Sequence, residues 1–365
     1  MGVTSSSLPP TLTSSTFTTL FPTLPSSLFD TLSLNGELNK EDLIKHLNTN
    51  QINSAFVFIK PQANTLKTQE YVRSTLSRFC IQIKEEGTIP GTVINEKKLI
   101  DQHYYSIASK ATLQHPSELN VPEDKFMESF KEEWVKVVEE GRCVNALQAC
   151  ERWNVNESTL EKLWRSSEKS HKVVKFGGGF YCGLLECEGE ELYVFNAFFM
   201  EMRSKFIGDN EVYFFSVEWE KGVLDWEGFR NRLLGPTDPN EAPEDSIRRT
   251  ILEKWEEFGL KSKPNKADNG VHASASPLEG LSEKCNWLGS SIDSESFGKA
   301  LLFNGFDEQT IKEYCIDPSV EGAKDDGVGK GSVFDAVEDM DAEDCLRKLC
   351  MIKFEEGKEG RFDGF

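Results

Sequence analysis

The sequence predicts an α+β fold, a ferredoxin-like βαββαβ sandwich with a large insertion and a helical C-terminal extension. The first observation is the continuous apolar run at 55–59, which ends at a Lys-Pro pair and is typical of a buried central strand. The second is the helical spacing of apolar residues over 71–79 and again over 99–108. The third is the alternation over 81–84, which indicates a half-buried strand. Strand, helix, strand and helix in that order predict a split βαβ sandwich.

The second half of the predicted sandwich follows an interruption at 113–195, which we interpret as an inserted subdomain of helices and a hairpin. The insertion shows helical periodicity at 124–139 and 157–164, and a glycine-rich turn at 177–179. The sandwich then resumes with a helix at 198–206, a strand at 212–219, a helix at 226–233, a loop at 235–246 and a helix at 251–258. A short stretch of small residues, 271–276, comes next and precedes a helical segment around 281–283.

The two ends of the chain differ in composition from this central part. The first 28 residues contain no charged side chain, and 14 of them are Ser or Thr, so they offer too little apolar surface to offset the entropy of ordering. We therefore predict a flexible Ser/Thr-rich tail over 1–50, a main domain over 51–288 and an acidic helical region over 289–365. Two alternatives for the tail stay open, a transit peptide and N-myristoylation at Gly2.

The charge and the cysteines exclude several classes of protein. Lys and Arg number 41 against 61 Asp and Glu, a net charge of −20, which repels nucleic acids and anionic membranes. The nine cysteines include no Cys-x-x-Cys pair, which argues against a zinc site and a disulfide framework and favours a reducing compartment. No apolar run reaches the 18 residues of a transmembrane helix. We expect a cytoplasmic location, with organelle targeting through the tail as the alternative.

One histidine is a candidate nucleophile. His272 lies among small residues that leave room for a bulky substrate, and Glu283 follows at a distance that lets it fold back toward the ring. An imidazole with one nitrogen held by a carboxylate presents the other nitrogen as a nucleophile. The alternative is a loop histidine without a role.

These residues belong to a wider set of motifs that resembles the nucleoside diphosphate kinase family, in a divergent and enlarged form. The resemblance covers about 55–112 and 196–288, a little under half of the chain. In chain order the matching motifs are Phe56-Val57-Phe58-Ile59-Lys60-Pro61, His103-Tyr104, Gly235-Pro236-Thr237-Asp238-Pro239 with Ser246-Ile247-Arg248, Asn269-x-x-His272-x-Ser274-x-Ser276, and Glu283 with Trp287.

The resemblance implies ping-pong transfer of the γ-phosphate of ATP to a nucleoside diphosphate through a phosphohistidine on His272. It implies that Glu283 orients this histidine and that catalysis also uses Lys60 and Tyr104. The implied substrate-binding residues are Lys60, Tyr104, Phe198, Thr237, Arg248, Asn269 and Ser274, with Asn269 on the sugar and Phe198 against the base. Mg²⁺ would arrive with the nucleotide, since it prefers phosphate oxygens and water to an all-protein site. The resemblance also implies a homo-oligomer.

Several positions depart from the family pattern. The aspartate and glycine after Lys-Pro are Gln62 and Ala63, and the aspartate between the two signature serines is Ala275. The arginine expected before Gly235 falls on Asn231, although arginines stand on both sides of it. Two hypotheses follow: an active phosphotransferase, or a weak or inactive relative that serves as a nucleotide-binding or assembly module. For Phe198, core packing is the alternative to base binding.

Overall fold

The structure is a computed structural model that describes residues 11–15, 33–34, 37–39, 52–177, 179–324 and 330–359. Most of the predicted tail at 1–50 lies outside these residues. The strands, in chain order, are β1 (Thr11–Thr13), β2 (Ser33–Leu34), β3 (Glu37–Asn39), β4 (Ile52–Ile59), β5 (Gln82–Pro90), β6 (Cys143–Asn145), β7 (Val173–Gly177), β8 (Phe180–Cys187), β9 (Glu190–Phe195), β10 (Glu211–Glu220), β11 (Val271–Ala273), β12 (Ser319–Glu321) and β13 (Lys330–Ser332).

The α-helices are α1 (Leu66–Arg78), α2 (Gly91–Glu96), α3 (Leu99–His103), α4 (Tyr105–Ala108), α5 (Glu123–Phe130), α6 (Trp134–Glu139), α7 (Ala146–Trp153), α8 (Glu157–Lys169), α9 (Phe198–Ser204), α10 (Trp226–Gly228), α11 (Ile247–Glu253), α12 (Pro277–Leu288), α13 (Ser296–Phe303), α14 (Glu308–Tyr314), α15 (Val333–Val337) and α16 (Ala342–Glu359). Two π-helical turns occur at Ser109–Leu113 and Phe229–Leu234. The mixture of helices and sheets confirms the predicted class at that level. Among the described helices, none is both long enough and apolar enough to span a bilayer.

The described chain divides into two compact units. The first runs up to Gly87 and resumes at Tyr213, and the second is Thr88–Val212. The first unit is built on a four-stranded sheet in the order β11-β4-β10-β5. Strand β4 pairs antiparallel with both β10 and β11, so it is a central strand, as its continuous apolar sequence predicts.

The two faces of β4 contact different layers. Ala55, Val57 and Ile59 belong to the main apolar cluster, together with α1. On the other face, Phe56 stacks on the indole of Trp287 with ring centroids 6.0 Å apart. Alternate side chains of a strand point to opposite faces, so helices cover the sheet on both sides.

The C-terminal helices form an apolar cluster of their own, built on α12 and continued through α13, α14, α15 and α16. Leu278 and Leu281 of α12 lie in this cluster, and Leu349 and Ile352 of α16 are fully buried in it. The acidic C-terminal region therefore packs as part of the first unit. Residues 325–329 of this region lie outside the described residues.

The second unit contains a four-stranded sheet in the order β6-β9-β8-β7, in which β6 is parallel to β9 and the other pairs are antiparallel. Strands β7 and β8 form the hairpin predicted at 177–179, although Gly178 itself lies outside the described residues. Arg203 and Asp101 form an ion pair of 3.0 Å at which both side chains are almost fully buried. This pair joins α9 to α3 inside the unit.

Some predicted helices differ from those observed, for local reasons. The helix predicted over 99–108 is divided at Tyr104, whose backbone (φ −103°, ψ 41°) leaves the helical region. The predicted helix 251–258 is observed at Ile247–Glu253, because the Ser246 hydroxyl accepts a hydrogen bond from the Arg249 amide and starts the helix earlier. The predicted helix 124–139 is two helices, since Lys131 adopts a left-handed backbone (φ 61°) that ends α5.

Candidate active site

His272 lies in the edge strand β11, directly opposite Phe58 of the central strand. Its ring stacks on the Phe58 ring, with centroids 4.7 Å apart and planes at 27°. The side chain is about one-fifth exposed (19%), so solvent still reaches it. The sheet and the aromatic ring together fix the position of this imidazole.

A carboxylate orients the ring. His272 Nε2 lies 2.7 Å from Oε1 of Glu283, which projects from α12 and is buried. The second oxygen of Glu283 accepts a hydrogen bond of 2.6 Å from the Ser274 hydroxyl. Ser274 Oγ in turn accepts from the Phe56 amide at 2.9 Å. The sequence-predicted residues His272, Glu283 and Ser274 therefore form one chain of contacts that ends on the backbone of β4.

The close approach of α12 to β4 lets Glu283 reach the histidine. The helix starts at Ser276, whose hydroxyl accepts from the Glu279 amide at 3.2 Å, and Pro277 occupies its first turn. At Gly280 a Cβ atom would lie 2.4 Å from the Ser54 carbonyl oxygen, so only glycine fits there.

The surroundings of His272 favour its neutral form. Burial, and then the positive charges of Lys60, Arg248 and Arg230, hold the pKa of His272 well below its usual range. A neutral imidazole carries a lone pair on one ring nitrogen, which is what nucleophilic attack needs. The site thus has a histidine that is both oriented and unprotonated at neutral pH.

Arg248 binds backbone carbonyls beside the histidine. Its Nε and Nη2 donate to the Val271 carbonyl at 3.1 and 3.0 Å, and Nη1 donates to the Gly235 carbonyl at 2.7 Å. Lys60 is the residue that follows β4, and its Nζ donates to the Ala267 carbonyl at 3.5 Å. Both cations lie near enough to His272 to lower its pKa, and Arg248 also ties β11 to the Gly235 loop.

Asn269 has a buried acceptor without a partner. Its Nδ2 donates to the Thr237 carbonyl at 3.1 Å, while Oδ1 finds no hydrogen-bond donor among the described residues. A buried polar atom left unpaired costs about 1–3 kcal/mol. Thr237 itself is exposed, and its contact in the structure is made through the backbone. Asn269, three residues before His272, therefore lies beside Thr237.

Tyr104 and Phe198 belong to the second unit, so their predicted roles beside His272 stay predictions. Tyr104 packs edge-on against the ring of its neighbour His103, with centroids 4.6 Å apart. Phe198 starts α9 and packs among aromatic rings, 5.5 Å from Tyr181 and 5.8 Å from Trp164. These contacts are those of a core residue within its unit, the alternative weighed for Phe198.

Arg230 is a residue of the site that the sequence left unassigned. Its charge reaches His272, and its Nη1 lies 3.5 Å from the carbonyl of Ala275, three residues after the histidine. The π-helical turn Phe229–Leu234, in which the Gly235 amide bonds the Arg230 carbonyl at 3.0 Å, contains one extra residue per turn. A π-helical turn changes which side chains share a face, and here Arg230 is the side chain that approaches the Ala275 carbonyl. The arginines on both sides of Asn231 were the signal in the sequence that could have found it.

No protein-family model matches the chain, and no curated protein sequence matches it. Among solved structures, a nucleoside-diphosphate kinase from Borrelia burgdorferi, a transition-state mimic with bound vanadate and ADP, is 15% identical with a TM-score of 0.28. An NDP kinase from Pyrobaculum aerophilum is also 15% identical, with a TM-score of 0.30. Each alignment covers 65% of this chain, and 87% and 95% of those two chains, respectively. At such TM-scores, neither superposition supports a conclusion about the fold or the activity of this chain.

Proposed function

We propose that this chain is a phosphotransferase of the nucleoside diphosphate kinase type, which passes the γ-phosphate of ATP through His272 to a nucleoside diphosphate. The observation that carries the proposal is the contact of 2.7 Å between His272 Nε2 and Glu283 Oε1, with Glu283 itself held by Ser274. A histidine oriented by a carboxylate and kept neutral by burial and by nearby cations has the properties of a phosphoryl acceptor.

The first step is attack by the lone pair of His272 on the γ-phosphorus. With Nε2–H donating to Glu283, the lone pair is on Nδ1. A bond from Nδ1 to phosphorus forms while the bond from phosphorus to the β–γ bridging oxygen breaks, and ADP leaves with that electron pair. The imidazole gains positive charge in this step, which the Glu283 carboxylate stabilises. In the second step, a terminal oxygen of the nucleoside diphosphate forms a bond to the same phosphorus while the bond from Nδ1 to phosphorus breaks, and its electron pair returns to the imidazole, which is neutral again.

Cations beside the histidine supply the charge that the transferring phosphoryl group needs. Lys60, Arg248 and Arg230 all act on His272 electrostatically, and in this proposal all three would stabilise the phosphates. Tyr104 would add a hydroxyl donor to this set. Glu283 does not serve as a metal ligand in this scheme, because its two oxygens bind His272 and Ser274. Mg²⁺ would therefore bind the nucleotide phosphates and neutralise part of their charge.

The nucleoside would bind beyond the phosphates. The unpaired Oδ1 of buried Asn269 is suited to accept a hydrogen bond from a sugar hydroxyl, which would remove the cost of leaving it unpaired. Thr237 lies beside it, and Phe198 would lie against the base. Stacking tolerates every base, so this arrangement favours broad nucleotide specificity.

The same proposal includes the architecture and the assembly. The sheet order β11-β4-β10-β5, with helices between its strands in the chain, supports a ferredoxin-like arrangement over 51–288 that is interrupted at 113–195. A homo-oligomer and a cytoplasmic location stay predictions.

The test is transfer of label from γ-labelled ATP with Mg²⁺ to the protein, followed by a chase with GDP. We expect acid-labile, base-stable label on the wild-type chain, none on His272→Ala, and movement of the label to GDP. A folded protein that binds ATP but never acquires label would contradict the proposal.

A second hypothesis is a nucleotide-binding or assembly module without turnover. Arg248 favours it, since its guanidinium already donates to the carbonyls of Val271 and Gly235 and would have to give up these bonds to bind phosphate. The module predicts thermal stabilisation by ATP without label on His272. A ligand at 100 times its Kd adds about 2.7 kcal/mol to the free energy of unfolding, which a thermal shift assay detects easily.

A further inference from the structure

The arginine beside the proposed phosphate site is already bound by two carboxylates from the C-terminal region. Arg230 Nη1 lies 2.7 Å from Oε1 of Glu338 and 3.3 Å from Oδ1 of Asp339. These two residues begin the connection between α15 and α16, which runs over 338–341, and we call the pair the acidic turn. A guanidinium binds carboxylate and phosphate oxygens through the same kind of N–H donor, so a phosphate that binds Nη1 must displace these carboxylates.

The acidic turn is held against the site by contacts other than its carboxylates. The Asp339 amide donates to the Ala275 carbonyl at 2.9 Å, the same oxygen that Arg230 approaches. Asp341, just beyond the turn, accepts from Asn53 of β4 at 2.6 Å and from the Trp226 amide at 2.9 Å. The backbone of the turn is therefore held beside Ala275 by contacts that do not involve the Glu338 and Asp339 carboxylates.

We propose that the acidic turn is a built-in competitor of the nucleotide phosphates for Arg230, and that it weakens polyphosphate binding by this chain. The inference rests on the proposed function for its catalytic consequence. The ion pairs are partly open to solvent, since the side chain of Arg230 is 24% exposed and those of Glu338 and Asp339 are 49% and 38% exposed. A phosphate can therefore reach Arg230 and displace the carboxylates.

A carboxyl group nearby responds to the negative charge of this region. Glu279 lies close enough to Arg230 and Glu338 for their charges to affect it, and burial, followed by the charge of Glu283, raises its pKa to about 8. Its Oε2 accepts from the Ala275 amide at 2.9 Å. The acidic turn thus adds two carboxylates to a region where the negative charge of one carboxylate already disfavours the ionised form of its neighbour. Neutralising the turn removes the competition for Arg230.

The test compares two double variants that lose the same charge. Glu338→Gln/Asp339→Asn removes the acidic turn, while Glu343→Gln/Asp344→Asn removes an adjacent acidic pair on α16 that contacts Lys221 and Arg347 instead. Binding of tripolyphosphate to the full chain is measured by calorimetry. Asparagine suits position 339, because the backbone there is left-handed (φ 59°).

We expect the first double variant to bind tripolyphosphate about three- to tenfold more tightly than wild type, the range for partly exposed ion pairs. The second double variant should change affinity less than twofold, and the gain should vanish when Arg230→Met is added to the first. If the first double variant fails to fold, Glu338→Gln alone should give part of the gain. Equal gains in both double variants, a gain that persists with Arg230→Met, or absence of tripolyphosphate binding would each overturn the proposal.

Labelling of His272 from γ-labelled ATP separates this inference from the proposed function. Tighter tripolyphosphate binding without any label supports the acidic turn as a competitor and contradicts the phosphotransferase. Label on His272 at equal rates in wild type and the first double variant, with unchanged tripolyphosphate affinity, supports the phosphotransferase and overturns the competitor.

Discussion

Replacing Glu283 by Gln separates the charge of this side chain from its shape. The wild-type carboxylate contacts His272 Nε2 at 2.7 Å and the Ser274 hydroxyl at 2.6 Å. A glutamine of the same length still accepts one hydrogen bond from the imidazole through its carbonyl oxygen, but it carries no negative charge. We therefore expect an intact fold with a slower phosphorylation step.

The size of the effect follows from the type of hydrogen bond that is lost. As His272 is phosphorylated, its contact with Glu283 becomes a bond between two charged groups, which is worth about 1.5–3 kcal/mol against about 0.5–1.5 for a neutral one. A loss of about 1–2 kcal/mol from the transition state corresponds to a rate reduction of about five- to thirtyfold. ADP binding should stay within about twofold, because Glu283 contacts the histidine and not the nucleotide in the proposed scheme.

The assay is single-turnover labelling of the full chain by γ-labelled ATP, with ADP affinity measured by calorimetry. Glu256→Gln, at an exposed position, is the control for removal of one negative charge and should label at the wild-type rate. A wild-type rate in Glu283→Gln would refute the electrostatic role. A parallel loss of ADP binding would show that Glu283 supports the whole site and not the phosphoryl transfer.

Three further predictions concern pH dependence and stability. The native pKa of His272 is held well below its usual range, while in the unfolded chain the pKa is about 6.5, so at pH values between these two pKa values unfolding takes up a proton. Urea titrations should therefore show that the free energy of unfolding decreases as the pH falls below about 6.5, with a smaller slope in His272→Gln. Gly280→Ala should lower the free energy of unfolding by about 1–3 kcal/mol, because its Cβ meets a β4 carbonyl at 2.4 Å, whereas Gly222→Ala, with open space, should change it by less than about 0.5. Arg203→Met should destabilise the chain by about 3–5 kcal/mol by leaving Asp101 charged and buried, and Asp101→Asn added to it should restore part of the loss in thermal unfolding.

Three results would contradict these predictions. Equal pH slopes in wild type and His272→Gln would mean that the histidine titrates alike in the native and unfolded chains. A harmless Gly280→Ala would show that α12 can move away from β4 without cost. Full stability of Arg203→Met would mean that other groups, such as the Thr112 hydroxyl that donates to Asp101, stabilise this buried side chain without the arginine.

The parts of the site that depend on local sequence could be predicted. The apolar run before Lys60 predicted the central strand, because a strand covered on both faces needs apolar side chains at every position. The sequence also predicted that Glu283 turns back toward His272. The two residues are eleven positions apart, which leaves room for a turn and the first half of a helix between them. The structure brings these two residues together at 2.7 Å.

The parts that depend on an inserted residue or on distant segments could not be predicted. Arg230 stayed unassigned because a π-helical turn changes which side chain faces the site, and apolar spacing does not reveal such a turn. The acidic turn lies more than 60 residues beyond the histidine in the sequence, and its contact with Arg230 comes from the packing of α15 and α16. The acidic composition of 289–365 alone gave no indication of that partner.

The order of strands along the chain has a consequence for synthesis on the ribosome. Strand β4 is buried on both faces in the finished unit, yet its partner β10 is translated about 150 residues later. At roughly 5–20 residues per second, the apolar segment waits on the order of 10–30 s for that partner. During this interval its unpaired edges can bind other nascent chains or a chaperone. Expression of fragments that stop before Glu211 should therefore give insoluble protein, while chains that extend through β11 can close the sheet.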